Sequence, residues 1–102
     1  MRKPIRRAGT MTKTSAQAIG VKALLFLAED EARLVRFLGD TGLDPSELWR
    51  QAGADTTLAA VLGHLLDDES LLLVFTTAAG LEPADVQSAC NALGGASPWD
   101  SM

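Results

Sequence analysis

The strongest constraint on this chain is an internal repeat. Residues 23–52 and 61–90 align without a gap at a spacing of 38, with nine identities in 30 positions. The matched pairs are Leu24/Leu62, Leu27/Leu65, Asp30/Asp68, Glu31/Glu69, Leu34/Leu72, Phe37/Phe75, Gly42/Gly80, Leu43/Leu81 and Pro45/Pro83. These are apolar anchors, capping acids and turn formers, the residues that specify a backbone path. A chain that repeats them is expected to repeat its local structure.

The apolar positions recur at helical spacing, and six short helices are predicted. The first runs over 15–28, with Thr14 or Ser15 as N-cap and Gln17 near the reciprocal capping position. The second starts at Asp30 and ends near Thr41. At the joint to the third helix, Gly42 takes the left-handed C′ position, Leu43 the following apolar contact, Asp44 the next N-cap and Pro45 the first helical turn, with Glu47 completing a capping box. In the second unit Asp55 opens the fourth helix and Asp68 the fifth, and Gly80-Leu81-Glu82-Pro83 repeats the joint to the sixth. Residues 71–75 alone read equally well as a buried strand. Their counterparts 33–37 place Arg33 and Arg36 on a polar side at helical spacing, so the segment is helix. Its denser apolar content predicts a central position for the fifth helix. The expected fold is all-α: six helices as two tandem three-helix units sharing one core over residues 14–93.

Charge divides the chain sharply. Arg2, Lys3, Arg6, Arg7 and Lys13 precede residue 14 without a single acid, whereas from Thr14 onward four basic residues face 13 acids, a balance of −9. Residues 1–13 carry Pro4 and Gly9 and no apolar periodicity, and read as a disordered basic extension; Met11 offers a second candidate start. Residues 94–102 read as a flexible tail carrying Trp99. The basic start before residues 23–28 faintly imitates a secretory leader, but Lys22 interrupts the apolar run, and cleavage would remove a helix whose counterpart is retained. No run reaches the roughly 18 apolar residues of a membrane span. One cysteine, Cys90, allows no intramolecular disulfide. A cytoplasmic protein without membrane attachment is expected.

Candidate chemistry is sparse. The segment 37–50 resembles a helix-turn-helix, but the second helix begins with Asp44, Ser46 and Glu47 where a DNA reader faces phosphates. A nucleic-acid binder using these units and the basic arm is therefore a minor alternative. His64, Asp67 and Asp68 stand at i, i+3 and i+4 and form a weak candidate metal site, and with it a metal-dependent enzyme as a second alternative. Capping explains both acids equally well, since Glu29 and Asp30 match them while Phe26 stands where His64 does. Cys90 aligns with Ala52 and reads as a buried structural thiol. No catalytic residue and no cofactor is assigned. The expected role is a protein-interaction or regulatory module, monomeric or weakly dimeric, with another protein as partner. The candidate surface is Trp49 and Arg50, with Trp99 folding over it or displaced from it, because Trp and Arg are enriched in binding hot spots.

Differences between the units carry a further expectation. Leu58, Val61, Leu62, Leu65 and Leu66 make one apolar stripe, with Gly63 and His64 well off its centre. Their counterparts in the first helix are Leu25 and Phe26, so that helix is apolar on a second face. Both side chains are expected to be buried against the space left by Gly63, with the two first-of-unit helices meeting near a pseudo-twofold axis. Exposure of this patch would make it a dimer or partner interface.

Phe26-Leu27-Ala28-Glu29-Asp30, Gly42-Leu43-Asp44-Pro45, the stretch 60–75 (AVLGHLLDDESLLLVF) and Pro98-Trp99 resemble a family of small alphaproteobacterial proteins catalogued as domain of unknown function 3572. The resemblance covers about residues 16–99 and excludes the basic extension. It implies a bacterial cytoplasmic helical protein and supplies no catalytic or binding residue.

Overall fold

The computed structural model describes residues 11–94, which form six helices: α1 (Lys13–Ala28), α2 (Glu31–Thr41), α3 (Pro45–Arg50), α4 (Asp55–Leu66), α5 (Glu69–Ala79) and α6 (Pro83–Ala92). No strand occurs among the described residues, and residues 71–75 lie within α5. The expectations for residues 1–10 and 95–102, including the Trp99 tail, lie outside the described residues.

Local capping sets the boundaries. Asp30 accepts from the amides of Ala32 and Arg33 and opens α2. Asp44 does the same for α3 through Ser46 and Glu47, and Asp68 for α5 through Leu71. Each carboxylate satisfies amides that a helix start otherwise leaves unpaired. Gly42 and Gly80 end α2 and α5 with φ of 78° and 70°, in the left-handed region that a Cβ disfavours. Pro45 and Pro83 each follow in the first turn of the next helix.

Three starts differ from expectation. Thr12, not Thr14 or Ser15, caps α1 by accepting from the Ser15 amide, because Thr12 holds the extended backbone a cap requires. Gln17 is then free of capping duty and reaches across to α4. Ala54 precedes α4 without a side-chain cap, and Asp55 at the first helical position turns to α1 instead. Glu47 interacts with Gln51 and Arg50 rather than closing a box, whereas Asp85 does accept from the Glu82 amide at the start of α6.

One buried cluster draws on all six helices, including Leu24 and Leu27 of α1, Phe37 of α2, Leu48 of α3, Leu62 and Leu65 of α4, Phe75 of α5 and Val86 of α6. The most extensive packing joins α1, α4 and α6 to one another, while α2 and α5 flank them. The expected central position of α5 is not observed. Its apolar run exceeds what one buried face can hold, so Leu72 and Phe75 go inward while Leu73 and Val74 stay about half exposed.

The α1–α4 seam is close. A Cβ built on Gly20 would lie 2.8 Å from the Leu58 Cβ, so glycine lets the two backbones approach. Beside it, Gln17 donates to Asp55 Oδ1 at 2.8 Å and Lys13 Nζ stands 3.0 Å from Asp55 Oδ2. Gln17 and Asp55 are 38 residues apart, as are Gly20 and Leu58. Along this seam α1 and α4 thus meet at positions 38 residues apart.

Candidate functional site

Two regions hold the candidate residues, a cleft beside His64 and the outer surface of α3, and the structure rearranges the expectations for the first. The Leu25–Phe26 pair is split. Phe26 is 7% exposed, but Leu25 is 55% exposed, contrary to the expected burial of both. The reason lies in how α1 meets α4: contact runs through Gly20, about 140° around the helix from Leu25 at 100° per residue. Phe26 is covered by Phe75 of α5, ring centroids 5.3 Å apart, and by the Arg33 guanidinium 4.2 Å from its ring centre. It does not fill the space at Gly63, where a Cβ would meet nothing within 4 Å.

That space remains an open cleft of about 800 Å³ between α2 and the α4–α5 turn. Arg36 and Asp40 line it from α2, Gly63 and His64 from α4, and Asp67 and Asp68 from the turn. The sequence sets His64 off the apolar stripe. Its side chain is nevertheless only 8% exposed, because Phe37 of α2 packs edge-on against it, centroids 5.3 Å apart. Phe37–His64 and Phe75–Phe26 correspond under the 38-residue shift, so the imidazole occupies the place that a phenyl ring holds in the first unit.

The imidazole is held between α2 and α4. His64 Nδ1 lies 3.4 Å from Asp40 Oδ2, while Nε2 is buried with no hydrogen-bond partner. The expected grouping of His64 with Asp67 and Asp68 does not form a ligand set, and among the described residues no three His, Cys, Asp or Glu side chains gather to hold a metal. Asp68 is committed to the Leu71 amide, and His64 faces α2 rather than the turn. Capping accounts for Asp68 and ring packing for His64. Cys90 is buried, its Sγ 3.7 Å from the Ala59 carbonyl oxygen, and burial, then Asp67, pushes its thiol pKa up. A thiol held neutral in this way is a poor nucleophile.

The α2–α3 joint is a short turn whose following helix begins with acidic residues. Hydrogen bonds from the Ser46 side chain and the Glu47 amide are the leading causes that hold Asp44 below the ordinary carboxylate pKa. A charged carboxylate therefore sits at the N-terminal end of α3, where it favours the helix dipole.

On α3, Leu48 is fully buried and fixes the helix to the core. The next residue, Trp49, is 46% exposed. Arg50 follows, its exposed guanidinium 3.7 Å from Glu47. The structure thus presents Trp49 and Arg50 together on the surface of a six-residue helix anchored by one leucine. Missing from the sequence reading are Gly20–Leu58, Gln17–Asp55, the Arg33 cover on Phe26 and the Phe37–His64 pair.

Fold and surface define a six-helix protein of repeated helical joints around one aliphatic core, with no helix among the described residues long and apolar enough to cross a membrane. Residues 13–96 match the family described as "Protein of unknown function (DUF3572)", and the chain belongs to that family. No curated protein and no solved structure matches it.

Proposed function

We propose that this protein is a protein-interaction module rather than an enzyme, and that α3 carries its contact surface. The observation that carries the reading is Trp49, which stands half exposed beside Arg50 while Leu48 ties the same turn to the core. An indole offers a large amphipathic contact area at small conformational cost, and Trp and Arg dominate measured hot spots. The buried Leu48 one residue away ties the turn that presents both side chains to the core. The fixed acids at helix starts and the raised pKa of Cys90 support this reading over hydrolytic or thiol chemistry. The partner is another protein, met in the cytoplasm.

Affinity capture from the organism of origin tests this. Tagged wild-type chain is expected to retain a discrete protein, and Trp49→Ala, with unchanged circular dichroism, to reduce its retention at least about tenfold, a typical hot-spot loss. Equal retention by Trp49→Ala would overturn the assignment of the surface to α3.

A further inference from the structure

The outer face of α1 is a second, independent surface. Ala18, Val21, Lys22, Leu25 and Glu29 line its solvent side, although α1 packs on α2, α4, α5 and α6 through its other sides. Residues 18, 22, 25 and 29 follow the 4-3-4 spacing of a helix–helix seam, with Val21 (40% exposed) and Leu25 (55% exposed) as its apolar centre. The Lys22 ammonium and the Glu29 carboxylate have no ion-pair or hydrogen-bond partner among the described residues. Seven residues apart, they are separated by about 10 Å along the axis and cannot pair with each other in one chain.

They can pair between two. We propose that the α1 face is a self-association surface, and that its occupant is α1 of a second copy, antiparallel about a twofold at Leu25. With Leu25 opposite Leu25, Lys22 of one copy falls about one residue, roughly 1.5 Å of rise, from Glu29 of the other. The twofold makes this contact twice. A parallel arrangement would instead set lysine on lysine and glutamate on glutamate, so charge selects the antiparallel one. An isologous patch needs self-complementarity, and a lysine and a glutamate flanking an apolar centre supply it. One pair of short helices buries less than a stable interface requires, so the dimer is weak and concentration-dependent.

Sedimentation velocity on the full chain, over a concentration series reaching the millimolar range, tests the proposal. Wild type is expected to shift from monomer towards dimer. Lys22→Glu and Glu29→Lys should each weaken the dimer at least about fivefold, by removing two exposed ion pairs. Combining the two reversals should restore the wild-type constant. Leu25→Glu should hold the chain monomeric with its helical content intact. A wild-type chain that stays monomeric throughout overturns the proposal, as does a double reversal no better than the singles. The Trp49 reading is untouched by either result, since its capture assay does not depend on Lys22, Leu25 or Glu29.

Discussion

Replacing His64 with phenylalanine is expected to make this protein more stable. In the folded chain the His64 side chain is 8% exposed and its Nε2 has no partner. An unsatisfied buried polar atom costs about 1–3 kcal/mol. Phenylalanine removes that cost and forfeits the contact to Asp40, which at 3.4 Å and with the aspartate 61% exposed is worth about 0–1 kcal/mol. The edge-on contact with Phe37 is kept, and the new ring pair has a counterpart in Phe26–Phe75, at the same centroid separation of 5.3 Å. The net gain is about 1–2 kcal/mol, or a rise in Tm of roughly 4–8 °C per kcal/mol for a domain of this size. Thermal and urea unfolding followed by circular dichroism measure it. The mirror substitution, Phe26→His, should lower stability by about 1–3 kcal/mol, because it buries ring nitrogens between Phe75 and the Arg33 guanidinium. A destabilised His64→Phe variant would refute the reasoning, by showing that the imidazole makes a stabilising contact a phenyl ring cannot replace.

Gly42→Ala and Gly80→Ala should each cost about 1 kcal/mol in urea unfolding, since φ of 78° and 70° strains any Cβ. Gly20→Ala should cost about 1–3 kcal/mol, measured the same way, despite alanine's better helix propensity, because its Cβ would stand 2.8 Å from that of Leu58. Asp55 is held below its usual 3.8 by the Gln17 hydrogen bond first and Lys13 second. A depressed folded pKa contributes stability that is complete above about pH 5 and lost as pH falls through the lowered value. The difference in urea midpoint between wild type and Asp55→Asn should therefore shrink on acidification below 3.8, and a constant difference would show that Asp55 acts without its charge.

Local signals in the sequence are legible because they act through neighbours in the chain. Asp30, Asp44 and Asp68 cap helices whose amides lie two or three residues away, and Gly42 and Gly80 answer to their own φ. What escapes is tertiary. The repeat alignment begins at residue 23, yet the seam lies before it, at Gln17–Asp55 and Gly20–Leu58. Those pairs share the 38-residue spacing without sharing identity, and Gly against Leu records a size complement that an identity search passes over. The same gap misplaces Leu25, because periodicity gives the angle between two side chains and not which angle faces the neighbour. Residue type alone puts His64 on the polar side, whereas its counterpart Phe26 already marks the position as a buried ring. Trp49 is legible as half exposed because Leu48, beside it, fits the inward face.

The proposed contact surface on α3 is tested directly by a photo-crosslinking amino acid placed at position 49 in cells of the organism of origin. Irradiation is expected to give a discrete heavier adduct containing a second protein, and none when the same probe replaces Gln87, an exposed residue of α6. No adduct at position 49, or the same adduct from both positions, would contradict it.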